Sequence, residues 1–166
     1  MDDLSEIEAA IPSLRRYAWS LLRHAAEADD LVQDCLVRAV AGYASRRGGD
    51  MRPWLFTIMH NLHVSRWRRL RRSPFVAADE QDPAWHVAAV QPLRAELQDT
   101  LAAIGRLPEE SRQILLLVGV EEFDYATVAR ILGIPIGTVM SRLSRARDRL
   151  RQLMAEPERH VLRRVK

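Results

Sequence analysis

The sequence predicts an all-α fold: two small helical domains joined by a flexible linker, the C-terminal one containing a helix-turn-helix. Three observations predict it. Apolar residues recur at spacings of three and four through several stretches, as one face of a helix requires. That periodicity stops from Ser73 to Pro92, where SPFVAADEQDPAWHVAAVQP holds three prolines and several acids. Between Tyr125 and Leu153 an amphipathic pattern is interrupted once, at Gly133 and Pro135. The expected division is a domain over residues 1–73, a linker over 74–92 and a second domain over 93–166.

Taken in order, Ser5 and Glu8 have capping-box spacing, which predicts a short helix beginning near Glu6. Pro12 suits the first turn of a further helix reaching about His24, with Leu14, Ala18, Leu21 and Leu22 inward and Tyr17 and Trp19 partly exposed. Asp29 and Asp30 favour the N-terminus of the next helix electrostatically. In it Leu31, Val32, Cys35, Leu36, Ala39 and Val40 face the core, while Asp30, Gln33, Asp34, Val37 and Arg38 face outward. An apolar Val37 amid exposed polar residues suggests a docking surface.

Residues 42–50 contain three glycines and two arginines and read as a loop. Arg52-Pro53 then opens a long helix ending near Ser73-Pro74. Leu55, Ile58, Met59, Leu62 and either Trp67 or Leu70 supply its buried stripe. Its far half exposes Asn61, Ser65, Arg66, Arg68, Arg69, Arg71 and Arg72. Arginines interleaved with a tryptophan are the composition by which a nucleic-acid strand is held through phosphate contacts and stacking; Trp67 serves equally as a buried structural residue. Trp85 is the odd residue of the linker and an anchor either to a domain or to a partner.

Beyond the linker, Leu97, Leu101, Ile104 and Leu107 share a helical face. Pro108 starts another helix, in which residues 114–118 are deeply apolar, and residues 121–124 form an acidic loop. Val128, Ala129, Ile131 and Leu132 form the stripe of the penultimate helix. Gly133 supplies the left-handed residue that stops it, and Pro135 suits the first turn of the last helix. There Ile136, Val139, Leu143, Ala146, Leu150 and Leu153 share a face. The opposite face carries Gly137, Thr138, Ser141, Ser144, Arg145 and Asp148, flanked by Arg142 and Arg149. Small hydroxyls at the helix start with arginines behind them suit a helix entering a DNA major groove.

Charge supports the same reading. The net charge is only +3, but residues 51–72 hold six arginines and no acid, and residues 135–154 hold five arginines against Asp148 alone. The first fifty residues hold nine acids and six arginines. Two basic stretches far apart suggest two contacts with a polyanion, and an acidic N-terminal part suggests a different partner. Cys35, the one cysteine, excludes an internal disulfide and falls on a core face. The histidines lack zinc-ligand spacing, and no nucleophile–base pair, metal cluster or phosphate loop appears. We therefore expect no enzyme, metal, cofactor or small-molecule substrate. Neither a signal sequence nor an apolar run of about 18 residues occurs, which predicts a cytoplasmic protein without membrane insertion.

Four segments in this order, ADDLVQDCLVRA (28–39), RPWLFTIMHNL (52–62), LPEESRQILLL (107–117) and YATVARILGIPIGTVMSRLSRAR (125–147), closely resemble the extracytoplasmic-function sigma factors of the sigma-70 family. The resemblance covers nearly the whole chain. It implies an initiation factor that binds core RNA polymerase, directs it to promoter DNA and is held in check by an anti-sigma factor. It places core-polymerase docking on Asp30, Gln33, Asp34 and Val37. It places −10 recognition and melting on Tyr43, Asn61, Ser65, Arg66, Trp67, Arg68 and Arg69, with Asn61 matching a contact to the non-template strand. Residues 43–51 match the loop that captures a flipped-out base. Recognition of the −35 element falls to Thr138, Ser141, Arg142, Ser144, Arg145 and Arg149. Met140 stands where many relatives carry a basic residue, and Ala126 replaces a common acid. The alternatives are a helix-turn-helix regulator acting on duplex DNA alone, and a sigma-mimic that sequesters anti-sigma factors.

Overall fold

The computed structural model describes residues 3–72 and 95–155, with side chains described over 4–69 and 99–155. The expected linker with Trp85 lies outside the described residues, as do the side chains of Leu70, Arg71, Arg72 and Leu97. Among the described residues the order is α1 (Asp3–Leu22), α2 (Ala25–Gly42), a 3-10 turn (Tyr43–Ser45), α3 (Met51–Arg72), α4 (Ala95–Gly105), α5 (Glu109–Gly119), α6 (Tyr125–Leu132) and α7 (Ile136–Ala155). These helices fall into two groups, α1–α3 and α4–α7, and no strand occurs among them.

The N-terminal helix corrects the first expectation. Instead of two helices meeting at Pro12, α1 runs unbroken through it. Proline removes one donor and crowds the carbonyl four residues back. The apolar face overrides this cost: Ile7 and Ala10 before the proline and Leu14, Tyr17, Ala18 and Leu21 after it are all buried. Pro12 itself is exposed, and Ser13 Oγ donates to the Ala10 carbonyl at 2.9 Å. Tyr17, expected to be partly exposed, is 2 % exposed, because it meets Phe56 of α3 edge-on.

Arg23, in the left-handed region at φ 59°, turns the chain into α2. That helix starts at Ala25, four residues before the expected aspartates, and His24 Nδ1 caps it by accepting from the Glu27 N–H. Leu31, Val32, Cys35 and Ala39 are buried as expected. Val40 is not: it is 57 % exposed. One residue past Ala39, it is rotated about 100° from that buried position and widens the apolar patch begun by Val37. The following loop is held by the 3-10 turn and by Gly48 and Gly49 at positive φ. Asp50 Oδ1 then accepts the Arg52 N–H at the start of α3.

In the second group, Asp124 Oδ1 accepts the Thr127 N–H at 2.7 Å and so caps α6. Gly133 at φ 64° ends it, and the Ile134 N–H reaches back to the Ala129 carbonyl at 3.1 Å. Pro135 then opens α7, accepting from the Thr138 and Val139 N–H groups. Val139, Leu143, Ala146 and Leu153 are buried, whereas Ile136, assigned to the same face, is 48 % exposed at the first turn, before the helix reaches the core.

The two groups share a core. Leu14, Tyr17, Leu55, Phe56 and Met59 of the first cluster with Leu116, Leu117, Phe123, Val128, Ile131 and Val139 of the second. Phe123, just before α6, meets Phe56 edge-on with ring centroids 5.0 Å apart. A smaller cluster of Ala103, Leu107 and Leu153 closes the far end of the second group. Helix α3 lies against α6, and α1 lies against α4 and α5.

Candidate nucleic-acid interface

Three surfaces carry the residues that the sequence singles out. On α2, Asp30, Gln33, Asp34 and Val37 are all exposed, Val37 at 68 %. Their spacing of three and four residues puts them along one side of the helix, where carboxylates surround a single apolar residue.

On α3, Asn61, Ser65, Trp67, Arg68 and Arg69 are exposed and Arg66 is half-buried. Tyr43 sits apart from them, half-buried in the 3-10 turn. Trp67 is 44 % exposed, so one part of the indole is available to stack while the rest is covered. Arg66 Nη2 donates to Asp34 Oδ2 at 2.6 Å and joins this surface to that of α2. Both side chains are reached by water, so the pair adds little stability. Its effect is to orient the arginine.

On α7, Ser141, Ser144, Arg145 and Arg149 point outward, and Thr138 and Arg142 are half-buried. Ser141 Oγ donates to the Thr138 carbonyl, and Arg145 Nε donates to the Ser141 carbonyl, so these side chains lie along the helix surface. Arg142 Nη1 is 3.1 Å from Glu110 Oε2 of α5, and Arg149 Nη1 donates to Gln152 Oε1. Ile136 and Met140 add exposed apolar surface to the same end of the helix.

The seam between the two groups holds what sequence reasoning missed. Glu121, expected in an acidic loop, is 1 % exposed. Its Oε1 accepts from Arg16 Nε at 3.0 Å, and its Oε2 accepts from Arg16 Nη2 at 2.9 Å and from Arg52 Nη2 at 2.6 Å. The Arg52 guanidinium also lies 4.6 Å from the Phe123 ring centroid and 5.7 Å from that of Phe56. Buried His63 makes a 2.6 Å contact from Nε2 to Glu109 Oε1, and that oxygen also accepts from Gln113 Nε2. Arg112 Nη1 donates to the Leu21 carbonyl, and Arg23 Nη1 donates to that of Gly105. The hydrogen bonds and ion pairs that cross the seam join residues 46 to 105 positions apart, which no local pattern reveals.

Titration behaviour follows from this burial. The His63 hydrogen bond, with charge attraction from His63, Arg112 and His60, holds the Glu109 carboxyl below its usual value against the effect of burial. Burial, helped by His63, lowers His60, while Glu109 opposes the shift. Burial pushes the Cys35 thiol up to about 12; with Sγ 3.4 Å from the Leu55 carbonyl it is a core residue, not a nucleophile. Among the described residues no group of three or more His, Cys, Asp and Glu is placed to hold a metal, and no helix is long and apolar enough to cross a membrane.

Known proteins share this organisation. The family described as the Sigma2 domain of PhyR matches residues 7–60, and Sigma-70, region 4 matches residues 97–150. The ECF RNA polymerase sigma factor EcfG of Rhodopseudomonas palustris is 41 % identical over 150 residues, 90 % of this chain and 83 % of that protein. SigM of Mycobacterium tuberculosis is 33 % identical over 145 residues, covering 85 % of this chain and 71 % of that one. The sigma factor RpoE from Bartonella quintana, crystallised with the anti-sigma factor NepR, superposes with a TM-score of 0.78 at 36 % identity. That match covers 93 % of this chain and 98 % of RpoE, so one superposition spans both helix groups.

Proposed function

The chain belongs to the extracytoplasmic-function RNA polymerase sigma factors of the sigma-70 family, and from that premise we propose that it binds core RNA polymerase and directs promoter-specific initiation. The observation that carries this is the match of both sigma regions in order, at residues 7–60 and 97–150, together with 41 % identity to EcfG over 90 % of this chain.

Each surface then takes a role. The α2 patch of Asp30, Gln33, Asp34 and Val37 docks on the polymerase, its carboxylates setting register around an apolar contact. Asn61, Ser65, Arg66, Trp67, Arg68 and Arg69, with Tyr43 beside the loop, hold the opened −10 strand. There phosphate contacts supply affinity, and stacking offsets the few kcal/mol that base flipping costs. The start of α7 enters the −35 major groove with Thr138, Ser141, Ser144 and Arg145, while Arg142 and Arg149 reach phosphates. Residues 1–73 and 93–166 act as the two functional units with 74–92 between them. Nucleotide addition belongs to the polymerase, in the cytoplasm. An anti-sigma factor that covers the polymerase-facing surfaces controls the free protein; the RpoE–NepR complex supports this part.

A run-off assay with purified core RNA polymerase and a randomised promoter library tests the reading. Tight association and initiation from a selected two-part motif are expected. Duplex binding with no affinity for core enzyme would show a plain regulator instead. Binding to partners without initiation would show a sigma-mimic, the reading that the PhyR-type first region keeps in view.

A further inference from the structure

The loop between α2 and α3 is rich in glycine yet held at both ends. Residues 42–50 include three glycines, and Gly48 and Gly49 bend the chain at φ 73° and 89°. Without a Cβ, such residues lose the most freedom when one conformation is fixed. The first half of the loop is knitted to α2. There the Arg46 N–H donates to the Tyr43 carbonyl at 3.0 Å, and Ser45 Oγ donates to the Gly42 carbonyl at 2.9 Å. The second half is tied to α3, where Asp50 Oδ1 accepts the Arg52 N–H at 3.2 Å.

One side chain joins the two halves. Arg46 Nη2 donates to the Gly49 carbonyl, and the same guanidinium lies 5.6 Å from the centroid of the Trp54 ring. Trp54 belongs to the first turn of α3 and is half-buried. Its Cζ2 lies 3.7 Å from the position that a Cβ on Gly42 would take. The indole is therefore a floor under the loop, reaching Gly42 directly at one end and Gly49 through Arg46 at the other. A planar guanidinium suits this double task, because it stacks by its face and donates by its edge. An ammonium is a point charge with no face to stack. Arg46 is itself half-buried and engaged on both face and edge, so it is poorly placed to meet a phosphate.

We propose that Arg46, seated on Trp54, is a positioning residue of the −10 reader: it holds residues 43–50, before DNA arrives, in the shape that receives an extruded base. This rests on the sigma-factor reading, in which Tyr43 and the loop lie beside the opened strand. A loop ordered in advance does not take its ordering cost out of the affinity for the strand. Base capture then depends on a side chain that touches neither base nor phosphate. Removing the brace returns the ordering cost to the binding step, and only where a base is captured. The loss of affinity for an intact strand should therefore equal the fall in what that one base contributes.

The test uses the full chain bound to purified core RNA polymerase. Its probe is the two-part promoter selected from the randomised library, made single-stranded across the −10 element. Each −10 base of the non-template strand is replaced in turn by an abasic site, and binding is titrated. In wild type one position is expected to cost about fivefold or more, the value of a stacked base. Arg46→Ala is expected to bind the intact strand about fivefold more weakly, the ordering cost of a freed side chain and its loop. Its penalty at that one position should fall to the about twofold scatter of independent sites, with the other positions unchanged. Arg46→Lys keeps the charge but loses the stacking fork, and is expected to behave like Arg46→Ala. Rescue by lysine would show a phosphate contact and overturn the proposal. So would an equal loss at every position and in binding to core enzyme, which marks a general loss of structure. An abasic profile and affinity identical in wild type and both variants would overturn it while leaving the sigma reading intact. If core enzyme binds none of the three proteins, the sigma reading fails and the proposal with it.

Discussion

The pairing of Phe56 with Phe123 gives the sharpest energetic test of a core shared between the two helix groups. Phe56 is fully buried on α3, and Phe123 is 9 % exposed on the turn before α6. Their rings meet at 5.0 Å and 77°, an edge-to-face geometry worth about 0.5–1.5 kcal/mol beyond the area it buries. Truncating a buried phenylalanine to alanine costs about 3–5 kcal/mol, and a domain of ordinary stability has only about 5–15 kcal/mol to lose. Leucine is therefore the better probe: it keeps most of the volume, costs about 1.5 kcal/mol or less at each site, and removes the ring.

Urea unfolding of wild type, Phe56→Leu, Phe123→Leu and the double variant closes a mutant cycle. If the two groups share one core, a single transition is expected, with a coupling of about 1 kcal/mol between the sites. Arg52, which lies over both rings, adds to the coupling, because each substitution also removes a face for its guanidinium. A coupling below about 0.5 kcal/mol is within the scatter of independent sites. That result, or two separate transitions, would refute the shared core.

Four further outcomes follow from the same geometry. Because burial depresses His60 in the folded state, its contribution is fully present above its ordinary value of 6.5 and is lost as pH falls through the lower folded value. The unfolding midpoint should therefore drop on acidification below pH 6.5, and less steeply in His60→Gln; parallel pH profiles would refute this assignment. Arg145→Ala should weaken promoter binding by about 1–3 kcal/mol if the side chain reads a base and by less if it meets phosphate, and an unchanged titration removes it from the site. Asp34→Arg should impair binding to core enzyme while changing stability by less than about 1 kcal/mol, since its pair with Arg66 is exposed; unaltered core affinity counts against the α2 docking surface. If the start of α7 enters the −35 groove as proposed, Met140, 53 % exposed one turn before Ser144, should cover a thymine methyl there. Replacing that thymine with deoxyuridine should weaken wild type about fourfold, the value of one buried methyl, and leave Met140→Ala unaffected. A scan in which both proteins respond alike disproves the contact.

Much of this architecture was legible because it is local. Gly133 and Pro135 sit where a left-handed stop and a helix start require them, and the buried residues of α7 follow the 3–4 spacing. The outward set Asp30, Gln33, Asp34 and Val37 is exposed as read. Two of the misreadings lie at the margins of helices. Val40 and Ile136 are apolar residues at an end or an edge, where period alone does not say whether the core extends that far. Pro12 was read as a boundary by local rule, and the buried face on both sides of it outweighs that rule. Glu121 was beyond reach for a different reason: its partners are 105 and 69 residues away, and an acid next to Glu122 and Asp124 looks like solvated loop.

The composition of the seam explains what holds the two helix groups in one register. Its centre is apolar, with Tyr17, Phe56 and Phe123 stacked edge to face, and an entirely apolar seam of this kind would behave as one permanent domain. Its margin is ionic and hydrogen-bonded, through Glu121, His63–Glu109, Arg112 and Arg23. Such groups find water again when the chain unfolds, so they define the register while adding little net stability. The aromatic centre supplies the depth of the packing, and the ionic margin decides which arrangement occupies it. Substitutions at the centre should therefore lower the unfolding midpoint with the apolar volume they remove. Substitutions at Arg16 should lower it less, because that side chain is half exposed to water, and an equal loss at both places would refute this division.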